Sequence, residues 1–109
     1  MNEALEHGLA LLRAGEWFEA HEELELAWRV APEAERDFCQ GLVHVAVAWY
    51  QAGRGNAVGC SRQLAKATRR LGPYAPEHRN VDVDDLLAQL SAAAERVARG
   101  DLQLEPVRL

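Results

Sequence analysis

The sequence predicts an all-α protein: a five-helix, single-domain bundle built on two antiparallel helix hairpins. Three observations predict it. Alanine and leucine dominate, isoleucine is absent, and phenylalanine and tyrosine number only two each, a mix that favours helix over strand. Apolar residues recur at helical spacing in five successive segments. Glycine or proline punctuates each boundary, at Gly15, Pro32, Gly53 and Gly55, Gly72-Pro73 and Gly100, as expected just past helix ends. A chain of 109 residues has the size of one domain and buries roughly two-thirds of its unfolded surface, so it needs no covalent staple.

The first segment, about residues 3–14, places Leu5, Gly8, Leu9 and Leu12 on one stripe. The second, about 16–30, groups Trp17, Ala20, His21, Leu24 and Trp28. The third, about 33–52, carries Phe38, Leu42, Val45 and Trp49 on one face and Val43, Ala46, Val47 and Tyr50 elsewhere. A helix apolar on most sides belongs in the middle of a bundle. The fourth, about 56–71, has a face of small side chains around Ala57, Cys60, Ser61, Leu64 and Thr68, which lets a neighbour approach closely. Asn56 is its expected N-cap. Residues 73–81 read as an irregular connector without strand, and His78 as a surface residue. The fifth helix starts after Asp82 as N-cap, with Asp84 and Asp85 in a first turn that suits acid. Residues 101–109 read as an extended tail. A faint echo aligns Ala14-Gly15 with Ala52-Gly53 at an offset of 38–40 positions, suggesting two stacked hairpins of tetratricopeptide type.

The net charge is −5, with the excess acid between Glu16 and Asp37. That disfavours nucleic acid, whose binding draws on phosphate neutralisation. Lys66 to Arg70 is a short basic run near a helix C-terminus, where it suits the helix dipole. No apolar run is long enough to span a bilayer. Two cysteines make neither a zinc site nor a disulfide framework. These features suggest a reduced cytoplasmic protein without membrane contact.

The chemistry concentrates in Trp17-Phe18-Glu19-Ala20-His21-Glu22-Glu23-Leu24-Glu25-Leu26-Ala27-Trp28. His21 and Glu25 are four apart and neighbour each other on a helix. A carboxylate holding one ring nitrogen leaves the other as base or ligand. An antiparallel hairpin turning at residues 31–33 sets Val43 and His44 level with His21, and Gln40 level with Glu25. Trp17, Trp28 and Trp49 would then wall the site. On the helical wheel, however, His44 lies off the main apolar face and shares an arc with Gln40 and Gln51.

His21-Glu22-x-x-Glu25 resembles the zinc-protease HExxH with its second histidine replaced, and no third ligand follows. Di-iron bundles need Glu-x-x-His, which is absent here. No native metal or cofactor is expected, with a metal held by His21, Glu25 and His44 as the remaining alternative. For acid–base chemistry, His21 would be the base, Glu25 its orienter, and Glu22 an acid or a metal ligand. No nucleophile accompanies them. The bland alternative is a packed core histidine, with the tryptophans as core and Glu19 and Glu23 as solvated face. Gly53-Arg54-Gly55-Asn56 reads as a turn and cap rather than an anion cradle.

Phe18-Glu19-Ala20-His21-Glu22, then Glu25 and Trp28, then Gln40-Gly41-Leu42 with Val45-Ala46, then Gly55-Asn56 and Gly59, resemble family 309 of the domains of unknown function. The resemblance spans about residues 5–72. It implies a compact helical fold and marks Glu19, His21, Glu22, Glu25, Trp28, Gln40, Gly41 and Asn56. It implies no activity, substrate or cofactor. His44 departs from the family pattern, which has glutamine there in many relatives. The function expected from the sequence is therefore a binding or scaffolding domain with a His/Glu/Trp-lined groove for a small molecule or protein partner. That groove would comprise Trp17, Trp28, Gln40, His44 and Asn56 around His21, Glu22 and Glu25. Self-association into a homo-oligomer is plausible, and the alternative is a hydrolase-like enzyme using His21 as general base oriented by Glu25, with or without a metal.

Overall fold

A computed structural model describes residues 2–109. The elements run α1 (Glu3–Arg13), α2 (Trp17–Val30), α3 (Glu33–Gly53) and α4 (Ala57–Leu71), then β1 (Glu77–His78), β2 (Val81–Asp82) and α5 (Val83–Ala98). Each helix packs on the next in sequence. Asn2, Asn56 and Asp82 cap α1, α4 and α5 through side-chain oxygens that accept from Leu5, Gly59 and Asp85 amides. Each cap satisfies a backbone donor that no helical carbonyl reaches.

The two hairpins are copies of one another. The turns pivot on Gly15 and Gly55, both at φ 77°. In the first, the Gly15 amide donates to Leu12 at 3.1 Å and the Glu16 amide to Leu11 at 3.0 Å. In the second, Gly55 donates to Ala52 at 3.1 Å and Asn56 to Gln51 at 2.9 Å. These are the paired bonds of a Schellman end, which needs a left-handed residue that glycine supplies without strain. Moving 40 positions along the chain carries the buried set Leu5, Gly8, Leu9, Leu12, Ala20, Leu24, Ala27, Ala31 onto another buried set. That second set is Val45, Ala48, Trp49, Ala52, Cys60, Leu64, Ala67, Leu71. The echo is thus real, and Gly15 aligns with Gly55 rather than with Gly53.

Glycine also sets how closely helices approach. A Cβ on Gly8 would lie 2.6 Å from Leu24 Cδ2, and one on Gly41 would lie 2.6 Å from Leu71 Cγ. Leu24 and Leu71 therefore pack directly onto bare helix backbone, one in each hairpin. Among the described residues one apolar core runs through α1, α2, α3, α4 and α5 and takes in Val107 from the tail.

Two expectations for the α4–α5 connector are corrected. Residues 77–82 form a small antiparallel hairpin, pairing Glu77 with Asp82 and His78 with Val81. Its two turn residues, Arg79 and Asn80, stand at φ 48° and 64°, the geometry of the mirror-image turns that suit two-residue hairpins. His78 is not a surface residue: its side chain is only 26% exposed and sits 2.8 Å from Glu35. The ring packs against Phe38 and Tyr74, with centroids 4.7 and 4.8 Å away. Burial of those rings draws the connector down onto α3. No helix among the described residues is long and apolar enough to cross a membrane.

Candidate functional site

α2 turns Ala20, Leu24 and Ala27 into the core, so His21 and Phe18 flank that stripe on the side towards α3. The α3 residues that meet them are Val47, Tyr50 and Gln51, and the five enclose a cavity of about 200 Å³. Phe18 lies 6.0 Å from the His21 ring and 5.7 Å from Tyr50, centroid to centroid. Both spacings are typical of tilted aromatic pairs. Phe18 keeps 49% of its surface in solvent, so this is a wet-edged cleft, not a sealed core.

The polar groups at the cleft are each held by a second residue. His21 Nε2 lies 3.0 Å from Glu25 Oε1, the imidazole being 28% exposed. Glu25 Oε2 in turn lies 3.6 Å from Arg29 Nη2. Gln51 Oε1 accepts from Asn56 Nδ2 at 3.1 Å, while Asn56 Oδ1 accepts from the Gly59 amide at 2.9 Å. Arg54 donates to the Tyr50 hydroxyl at 3.1 Å and lies 5.6 Å above its ring. An imidazole and a carboxamide are thus presented beside two aromatic rings, with their orientations set from outside the cleft.

The sequence-marked residues separate into groups. His21 lines the cleft, Glu25 holds it, and Asn56 holds Gln51. Glu22 is exposed on the outer side of α2 and is absent from the cleft lining. Trp17 packs on Trp49 at 6.2 Å, and Trp28 lies 4.6 Å beneath the Arg36 guanidinium. Both tryptophans therefore have structural partners away from the cleft. Gln40 is half-buried on α3, and Gly41 is the bare surface on which Leu71 rests. Phe18, Val47, Tyr50 and Gln51 were not singled out for the site. Their signal is visible only once the helix pairing is known.

His44 does not share a spot with His21. Its Nδ1 donates to Gln63 Oε1 on α4 at 2.7 Å. The level pairing predicted by a tight turn is shifted, because Ala31 and Pro32 are extended, with ψ of 142° and 157°. His21 therefore meets Val47, a full turn beyond Val43. Burial lowers the His44 pKa below its usual value, Gln63 opposes that, and Lys66, Arg70 and Arg69 add to it. Among the described residues, no three His, Cys, Asp or Glu side chains converge as a metal-ligand set.

The thiols are poor nucleophiles. Burial pushes Cys39 up to about 11, with the Glu35 charge adding to it, and burial also raises Cys60. A thiolate is what attacks, so neither cysteine is armed at neutral pH.

A second polar cluster joins α3 to the β-hairpin. Glu35 Oε1 accepts from Arg79 Nε at 2.6 Å and pairs with His78 Nε2 at 2.8 Å. Burial would raise the Glu35 carboxyl, but the bonds from Arg79 and His78 outweigh it and hold the pKa below the usual value. The role of this cluster is to fasten the hairpin to α3.

A family model described as Domain of unknown function (DUF309) matches residues 5–63. That span holds α1 from Leu5 onward, all of α2 and α3, the second turn and the first seven residues of α4, and so every residue of the cleft. The chain matches none of the curated proteins and none of the solved structures.

Proposed function

This chain belongs to the family described as Domain of unknown function (DUF309), and we propose that it is a small cytoplasmic binding domain whose α2–α3 cleft receives one side chain of a partner, or a ligand fragment of that size. The observation that carries this reading is the cleft itself: about 200 Å³ between Phe18, Tyr50 and Val47, with His21 and Gln51 as polar handles. Pockets for whole small molecules run to about 300–1,000 Å³. The smaller volume favours a single anchoring group, as at protein–protein hot spots. The net charge of −5 disfavours a nucleic-acid partner, and the two free, buried thiols suit a reducing compartment.

The test is amide and imidazole NMR with a panel of side-chain-sized fragments and tripeptides. Binders should shift Phe18, His21, Tyr50 and Gln51, and Val47→Trp, which plugs the cleft, should abolish those shifts. His21→Ala should weaken binding about tenfold while changing stability by under about 1 kcal/mol, since the side chain is part-exposed. If no fragment perturbs these residues, or if Val47→Trp leaves every shift intact, the reading fails.

One observation favours a second reading. A carboxylate 3.0 Å from Nε2 orients His21 at the cleft wall, an arrangement suited to a general base. In a hydrolase-like enzyme His21 would act on water, with Glu25 as orienter, since no serine or cysteine lines the cleft. Glu22, the expected acid, would have to act from outside the cleft. Turnover of an ester or amide panel that is lost in both His21→Ala and Glu25→Gln would establish this reading over the first.

A further inference from the structure

Residues 101–109 form no regular element, yet they are gripped along their length. Trp49 Nε1 on α3 donates to the Glu105 carbonyl at 2.9 Å. Gln89 on α5 makes two bonds with one residue: Nε2 donates to the Arg108 carbonyl at 2.7 Å, and Oε1 accepts from the Arg108 amide at 2.9 Å. Arg96 on α5 donates to the Gln103 carbonyl, and Arg13 on α1 donates to the Leu109 carbonyl at 3.3 Å. Five side-chain bonds from three helices thus reach the main chain of the tail. Only Val107 among its side chains is fully buried, at 3% exposure.

A grip on main chain is tolerant of sequence. It is the physics by which grooves hold extended peptides, with pockets for one or two side chains adding selectivity. The tail also fits imperfectly. A cavity of about 130 Å³ remains between Trp49, Ala92, Ala93 and Arg96 on one side and Leu104 and Pro106 on the other. The segment leaves α5 through Gly100, at φ 84°, where the Gly100 amide donates to Val97 and the Asp101 amide to Arg96, each at 2.9 Å; the side-chain bonds that hold the main chain beyond this helix end begin at Gln103.

We infer that the face built by α1, α3 and α5 is a groove for an extended peptide of a partner protein, and that residues 101–109 occupy it as a displaceable intramolecular stand-in. The stand-in specifies the partner's chemistry. An aliphatic side chain takes the place of Val107, and an acid takes the place of Glu105, whose Oε2 lies 3.9 Å from Arg96 Nη2. A side chain larger than leucine at the Leu104 position fills the remaining space. This groove shares no lining residue with the α2–α3 cleft, so the two readings stand or fall separately.

The experiment inserts a protease site between Gly100 and Asp101, cuts the folded protein, and adds fluorescent peptide of residues 101–109. Cut protein should take up the peptide, and a Leu104→Phe peptide should bind several-fold more tightly. A Val107→Asp peptide should not bind. Uncut protein should bind at least about 100-fold more weakly, because a tethered tail competes at an effective concentration of order millimolar. Failure of the cut protein to exchange its tail overturns the inference. So does loss of helical circular dichroism on cutting, which would make the tail a fixed part of the core. If the uncut chain elutes as a dimer that Val107→Asp dissociates, the occupant is a second copy, and the partner assignment is overturned.

Discussion

Gly41→Ala tests the packing argument most sharply. In an α-helix this change should stabilise by about 0.8–1.0 kcal/mol, because alanine loses less backbone entropy. Here the new methyl would sit 2.6 Å from Leu71 Cγ and 2.8 Å from Cδ2. Cγ is the branch point of a side chain that is 0% exposed, so it has no free direction in which to swing. Overpacking a closed core costs about 1–3 kcal/mol, and this geometry belongs in the upper half of that range. The helix gain offsets part of it, leaving a net loss of about 1–2 kcal/mol. Gly53→Ala is the internal control: it lies in the same helix, and nothing stands within 4 Å of its added Cβ. It should stabilise by a few tenths to about 1 kcal/mol. Unfolding entropy of about 2.1 cal/mol/K per residue converts each kcal/mol into roughly 4–5 °C for a chain of this length. Thermal and urea unfolding of the three proteins should therefore place Gly41→Ala below wild type by about 4–9 °C and Gly53→Ala above it. A Gly41→Ala protein as stable as wild type would refute the claim that α4 rests on bare α3 backbone.

Two further outcomes follow from the electrostatics. The Glu35 carboxyl has its pKa lowered in the folded state, so its stabilisation is present above the unfolded value near 4.5 and is lost as pH falls through the folded value. Glu35→Gln should cost about 1–2 kcal/mol at pH 7 and progressively less as the pH is taken below 4.5; a pH-independent difference in urea midpoints would show that Glu35 fastens the hairpin without its charge. His44 behaves in the opposite sense. Its pKa is lowered by burial, so acid below about 6.5 protonates the unfolded chain first and destabilises the fold. NMR titration should find His44 titrating below the ordinary histidine value, and lower still in Gln63→Leu, which removes a bond that favours the charged ring; an upward shift in that variant would contradict the assignment.

Much of the fold was legible because its signals are local. Caps at Asn56 and Asp82 are written in single residues, and helical stripes such as Leu5, Leu9 and Leu12 within a dozen. The β-hairpin was missed because its strands are two residues each, too short for an alternating pattern. Its fixation comes from Glu35, more than 40 positions away. The His21–Glu25 pair was legible for the same local reason, being one turn of one helix. The cleft around it was not. Whether Val47 or His44 faces His21 depends on how two extended residues at the turn set the helix register.

By itself the sequence determined the helices, their ends, the doubled hairpin and the His21–Glu25 pair. Each of these is fixed by backbone hydrogen bonding and side-chain spacing within a few turns. Tertiary structure decided that Phe18, Val47, Tyr50 and Gln51 make a cleft, that Gly41 is a packing surface, and that the tail lies in a groove across three helices. Those follow from the relative rotation and register of packed helices, which depend on every core side chain at once and on no single stretch of chain.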